Sequence, residues 1–389
     1  MSIETLPDQR DRFDLPDAVT YLNCAYMAPQ LRSVTEAGHA AVARKAQPWH
    51  IHTSDFFDDV ERLRDRFATL VGGDADGVAV VPSVSYGIST AAAQLTPEDG
   101  SEIVVLAEQF PSNVYPWREL ASGTGARLRT IRRPPDDDWT PALLAAIGDR
   151  TAVVAVPVCH WTDGTVVDLA RVRAAARDVG AAVVVDGTQA VGAVPIDVGA
   201  LEPDFLVAAA YKWLLGPYSI GLMWVHPSRR SGRPIEHGWV ARAGSENFAG
   251  LVDYRDDYRP GARRYDVGET ANFVLVPMTL AAIDQLLAWG VDRVAATCRV
   301  LTDAIADAAS ELGVGTPSPT VRSAHLIGLT LPAHMQARDV SARLQAESVH
   351  VSLRGRSIRV SPHVYNDLGD VRHLAEVLRA ASMSSSTGN

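Results

Sequence analysis

The sequence predicts an α/β protein: a large domain on a mostly parallel sheet, followed by a smaller α+β unit. Three observations carry this. Short unbroken apolar runs recur at 77–82, 103–107, 152–158, 182–186, 205–209 and 221–225; helical stretches separate them; and the texture changes after Arg264. Unbroken apolar runs mark strands buried on both faces, which a parallel sheet acquires when crossover helices cover it.

The elements follow in order. Residues 1–30 form an amino-terminal segment expected to lend residues to the small unit and the active site, and 31–264 form the large domain. Between the third and fourth runs, Leu169, Val172, Ala176 and Val179 share one helical stripe, with Gly180 as its stop. The region 265–382 opens with a helix carrying Met278, Leu280, Ile283, Leu286 and Leu287 and ending at Gly290, then continues as the small α+β domain. Its last helix places Val371, Leu374, Val377 and Leu378 on one face, with Asp370 in the first turn, where a negative charge suits the helix dipole. Residues 383–389, polar and small, read as a disordered tail.

Composition narrows the function classes. With 389 residues, 47% of them hydrophobic, the chain has material for a full core and about two domains. A net charge of −10 without basic clustering argues against nucleic-acid binding. Cys24, Cys159 and Cys298 are odd in number and lack metal-ligand spacing, which argues against a disulfide framework and for a cytoplasmic location. His50 and His52 have no third ligand nearby, so no metal is expected. No stretch approaches the roughly 20 apolar residues of a membrane span and the amino terminus shows no apolar h-region, so neither an anchor nor export is expected.

The chemistry starts from Lys212 in Ala-Ala-Tyr-Lys-Trp-Leu-Leu-Gly-Pro-Tyr and Asp186, which ends an apolar strand in Asp-Gly-Thr-Gln. A lysine amine holds an aldehyde cofactor as a Schiff base, and an aspartate against a pyridine nitrogen keeps that ring protonated. The pair implies pyridoxal 5′-phosphate (PLP). The segment Pro82-Ser-Val-Ser-Tyr-Gly-Ile88 follows a strand and opens a helix, so its free amides and hydroxyls suit a phosphate dianion.

With Tyr-Leu-Asn at 21–23, Phe-Pro-Ser-Asn-Val-Tyr-Pro-Trp at 110–117 and Tyr-Lys-Trp-Leu-Leu-Gly-Pro-Tyr at 211–218, the chain resembles the fold-type I PLP enzymes. Within them it is similar to the class V aminotransferase group of cysteine desulfurases, kynureninases and isopenicillin N epimerase, from Tyr21 to Asn366. The resemblance implies a seven-stranded-type sheet and roles for matching residues. Lys212 carries the cofactor and moves protons at the substrate α-carbon; Asp186 pairs with the ring nitrogen; and Gln189 bonds the phenolic oxygen. Ser85 and the Val84 amide bind phosphate, joined by Tyr211, which stands where desulfurases have histidine, while Ala209 replaces a phosphate-binding serine. Phe110 stacks on the ring or is plain core. Asp163 stands in for an asparagine near the phenolic oxygen, and His160 reads equally as catalytic or structural. Arg359, in Arg-Val-Ser-Pro-His-Val-Tyr-Asn, grips the substrate α-carboxylate, so an amino-acid substrate is implied. Thr270 and Asn272 are lent to the neighbouring subunit's phosphate, which implies a homodimer with a shared site. Asn23 and Met27 line the substrate pocket by family position, and Trp117, Trp161, Tyr115 and Tyr218 are candidate aromatic walls.

The reaction is less specified. The stretch 348–358 contains no cysteine, so a desulfurase-type persulfide relay is not expected. The favoured reading is β-elimination of a C–S lyase type on a cysteine-derived L-amino acid in specialised metabolism. The alternatives are an aminotransferase with a keto-acid acceptor, an epimerase or a decarboxylating deaminase; a non-catalytic scaffold of the same fold is disfavoured by retention of Lys212, Asp186 and Arg359.

Overall fold

A computed structural model describes residues 3–355 and 357–386. The chain opens with β1 (Thr20–Tyr21), α1 (Arg32–Lys45) and α2 (Asp58–Val71). The large domain then runs β2 (Val78–Val81), α3 (Val84–Ala93), β3 (Glu102–Leu106), α4 (Tyr115–Thr124), β4 (Arg127–Ile131), α5 (Trp139–Ala146) and β5 (Thr151–Pro157). It continues with α6 (Leu169–Asp178), β6 (Ala182–Asp186), α7 (Val198–Leu201), β7 (Phe205–Ala209) and β8 (Gly221–Val225). Next come α8 (Leu275–Trp289), α9 (Val291–Glu311), β9 (Ile327–Thr330), α10 (Ala337–Ala346), β10 (Val349–His350), β11 (Ser352–Arg354), β12 (Ser357–Val360) and α11 (Leu368–Ser386).

The main sheet has seven strands in the order β2-β8-β7-β6-β5-β3-β4. All pair in parallel except β8, which runs antiparallel to both β7 and β2. Every residue of β6, β7 and β8 is buried, as their unbroken apolar sequences require. The six apolar runs all become strands, but β4 was not foreseen. Its Arg-Leu-Arg-Thr-Ile lies at the sheet edge, where one flank is solvated and charged side chains guard against edge pairing.

Helix ends follow the expected chemistry. Asp168 caps α6 by accepting from the Arg171 amide at 3.0 Å, and Gly180 takes a left-handed φ of 73° beyond it. Gly87 lets α3 lie close on β7, since a Cβ there would stand 2.6 Å from Val207 Cγ1. That approach fixes the β2–α3 turn above the sheet.

Two boundaries need correction. The sequence groups helix α8 with the small domain, yet Val276, Met278, Leu280, Ile283 and Leu286 share a core with α1, α2 and the main sheet. The reason lies in α9, which carries Val294 and Cys298 in that core and Leu301 and Ile305 in the small one, so the division falls within α9. The tail expected from 383 is helical through Ser386, and 387–389 lie outside the described residues. The small domain pairs β11, β12 and β9 antiparallel. The amino-terminal segment joins it through β1, parallel to β10, with Thr20 opposite Val349.

Candidate active site

The carboxyl ends of the parallel strands converge on a cavity of about 280 Å³. It is lined by the β2–α3 turn (Pro82–Ser85), Phe110 after β3, Pro157 at the end of β5, Asp186 and Gln189 after β6, and Ala209, Tyr211 and Lys212 after β7. Ligands bind α/β sheets at such strand ends.

Lys212 is 5% exposed, and its amine lies 5.2 Å from the Phe110 ring centroid and 5.4 Å from that of Tyr211. Among the described residues the amine has neither a salt bridge within 4.0 Å nor a hydrogen bond. Burial pulls it down from 10.5 to about 8, with Asp186 opposing and Arg359 and Arg354 reinforcing the change. In cofactor-free protein below about pH 8 both folded and unfolded chains hold the proton and the burial penalty is full; between about 8 and 10.5 only the unfolded chain holds it, so stability rises with pH. Lys212→Met lacks this penalty, so its advantage in Tm over wild type should shrink across that window. Melting curves at stepped pH check this, and a pH-independent difference would contradict it.

Asp186 is buried, and its Oδ1 accepts from the Thr188 amide at 3.0 Å. Burial pushes its carboxyl up, opposed by Thr188 and Lys212, so a cationic ring nitrogen would favour its charged form. Gln189 has a fixed amide: Oε1 accepts from Trp213 Nε1 at 2.9 Å, and Nε2 donates to the Ala25 carbonyl at 3.2 Å with one hydrogen to spare. At the head of α3, Ser83 Oγ accepts from the Tyr86 amide at 3.2 Å and lies 2.9 Å from Ser85 Oγ. The Val84 and Ser85 amides, in the first turn, have no helical acceptor. Ser219, in the cavity wall, and Glu108, next to the wall residue Gln109, hold left-handed φ of 67° and 58°, a cost that clusters at functional sites.

Arg359 stands at the neighbouring small-domain hairpin, 1% exposed. Nη1 donates to the Trp161 carbonyl at 2.9 Å and Nη2 reaches Ser352 Oγ at 3.5 Å, while Nε has no partner. No carboxylate pairs with it among the described residues, and burial lowers it to about 9.

Several expected residues lie elsewhere. His160 does not line the cavity: its Nε2 meets the Ala107 carbonyl at 3.1 Å, Nδ1 meets Thr162 Oγ1 at 2.7 Å, and the ring stacks on Trp139 at 5.3 Å. Burial also pushes its pKa down. Asp163 likewise turns away, pairing with Arg133 at 2.7 Å and accepting from Thr165 at 2.7 and 3.0 Å. Asn23 is buried off the cavity, accepting from Ser352 Oγ at 2.8 Å and so joining the Arg359 surroundings; Met27 is 39% exposed and not in the wall. Trp117 is core, bonded to Asn113 at 3.2 Å, and Tyr115 is exposed, whereas Trp161 and Tyr218 do line the cavity.

Thr270 and Asn272 lie away from this chain's own cavity, against a surface hollow with Phe56, Trp239 and Phe273. Asn272 Oδ1 caps α8 by accepting from Leu275 at 2.9 Å. Their segment is pinned to β2 because Asp266 accepts from the Val80 amide at 2.8 Å and from the buried Arg64 guanidinium. Sequence reading missed Arg354. Register would have found it: Ser352 opposes Arg359 and Arg354 opposes Ser357, so alternation puts both arginines on one hairpin face.

A buried, depressed lysine amine, a carboxylate at the neighbouring strand end, an aromatic face and a helix-start hydroxyl pair are the donor set PLP requires, and they surround one cavity. The protein is a PLP-dependent enzyme, and its chain belongs to the class-V aminotransferase family, whose model it matches over residues 27–385. It is 27% identical to isopenicillin N epimerase of Streptomyces clavuligerus over 78% of each chain. It is 29% identical to a cysteine desulfurase of Salmonella dublin, covering 74% of this chain and 71% of the relative. Its fold matches the cystine C–S lyase C-DES, solved with its product cysteine persulfide, at a TM-score of 0.85 and 20% identity, covering 92% and 97% of the two chains. Among the described residues no helix is long and apolar enough to cross a membrane.

Proposed function

We propose that the enzyme activates the α-carbon of an L-amino acid and expels a sulfur leaving group from its β-carbon, as a homodimer with shared sites. The observation that carries the amino-acid reading is Arg359: a buried guanidinium with no acidic partner among the described residues, close enough to Lys212 to act on its charge, calls for a planar anion from outside.

Lys212 would hold the cofactor aldehyde, Asp186 the ring nitrogen, Gln189 Nε2 the phenolic oxygen, Phe110 the ring face, and Ser85 with the Val84 amide the phosphate. PLP, when bound, supplies the electron sink that makes a carbanion at Cα accessible. Lys212, neutral from about pH 8 upward, takes the Cα proton. Arg359 fixes the α-carboxylate and so the orientation of the bonds at Cα. Trp161, Phe110 and Tyr218 line the cavity and would flank that carbon.

Expulsion of sulfur without an enzyme persulfide is supported by the thiols themselves. Cys24, Cys159 and Cys298 are all buried, and burial holds Cys159 and Cys298 at about 12 and Cys24 higher still, so none offers a thiolate. Homodimerisation is supported by the outward hollow at Thr270 and Asn272 and by the aromatic group Phe56, Trp239, Phe248 and Phe273 around it.

The test is mass-spectrometric product analysis of PLP-loaded enzyme with L-amino acids and S-substituted cysteines, without keto acid. Repeated turnover releasing thiol, ammonia and an α-keto acid is expected. Arrest after one half-reaction, relieved by adding a keto acid, would make the enzyme an aminotransferase instead.

A further inference from the structure

We propose that Arg354 forms a second anion subsite, so that the enzyme prefers amino acids carrying a negative charge on the side chain beyond Cβ. The inference rests on the reading of Arg359 as the α-carboxylate anchor and extends it to substrate class.

Arg354 and Arg359 project from the same face of the β11–β12 hairpin. Both address one indole: their guanidinium carbons lie 5.2 Å and 6.0 Å from the ring of Trp161, which lines the cavity. Two like charges gathered on one side chain repel, and among the described residues no carboxylate offsets them. Among the described residues neither has a carboxylate within ion-pairing distance; Arg354 donates only to the Leu353 carbonyl, at 2.8 Å, and its Nε is buried without a partner. Arg359, 1% exposed with an orphaned Nε, shows the same deficit. An α-carboxylate neutralises one guanidinium and leaves the other. Arg354 is half-buried near the hairpin tip whereas Arg359 is buried, so Arg354 is the more solvent-accessible of the two guanidinium groups. Arginine's planar fork suits a carboxylate or another oxyanion bidentately, and stacking on Trp161 holds the fork in place.

Equilibrium binding to PLP-loaded enzyme tests this with two pairs differing only in distal charge: L-glutamate against L-glutamine, and S-carboxymethyl- against S-carbamoylmethyl-L-cysteine. Wild type should favour the charged member of at least one pair, on the order of tenfold. Arg354→Gln should bring the ratio near one without changing affinity for the amides, and Arg354→Lys should keep part of the preference. Equal affinities in wild type, or a preference surviving Arg354→Gln, would overturn the subsite. Failure of the amino-acid reading looks different: Arg359→Gln would then leave all four affinities unchanged, or wild type would bind none, and the subsite would fall with it.

Discussion

Lys212→Ala is expected to abolish turnover and the visible absorption of the lysine-linked cofactor together. Proton transfer alone contributes on the order of 10²–10⁴-fold, and the same amine is the covalent anchor, so the loss should exceed that range. Neither His160, engaged in its loop, nor the three buried thiols is placed to substitute. Absorbance and product release on the same preparation check this, and an unchanged visible spectrum would end the Schiff-base assignment. The variant also tests the shared site. Mixing Lys212→Ala subunits with Thr270→Ala/Asn272→Ala subunits should restore one competent site per heterodimer; heterodimers that form but stay inactive would count against donation across the interface.

Arg359→Met should weaken amino-acid binding while raising Tm of the substrate-free enzyme. Loss of charge-assisted bonds to a carboxylate corresponds to roughly 10- to 100-fold in affinity. The stability effect has the opposite sign to most core substitutions. The guanidinium is buried without an acid, and the depression of its pKa to about 9 reflects the cost of keeping it charged there. A flexible apolar side chain removes that cost and retains most of the packing. Calorimetric binding and thermal melts measure the two effects separately. Unchanged affinity would contradict the carboxylate role, and a lowered Tm would contradict the unpaired-charge argument.

The relation between sequence and site is uneven for physical reasons. The six apolar runs became strands because a strand buried on both faces leaves no room for polar residues, so its pattern is local and unmistakable. The edge strand β4 escaped because solvent on its flank permits Arg127 and Arg129. Lys212, Asp186, Gln189 and Ser85 line one cavity because each sits at a strand end, and strand ends are readable. His160 and Asp163 also follow a strand, β5, yet they point into a knot with Arg133 and Trp139. Side-chain direction after a strand depends on partners far along the chain, and motif spacing carries no record of them.

By itself, then, the sequence determined the layered α/β class, the strand-end residues and the cofactor chemistry, since periodicity and residue type act locally. Only the tertiary structure decided that α8 belongs to the large core, that Gln189 is locked by Trp213, and that Arg354 and Arg359 share Trp161 without an acid between them. Those outcomes depend on packing and charge balance between segments distant in the chain, where burial converts an ordinary side chain into one that demands a partner.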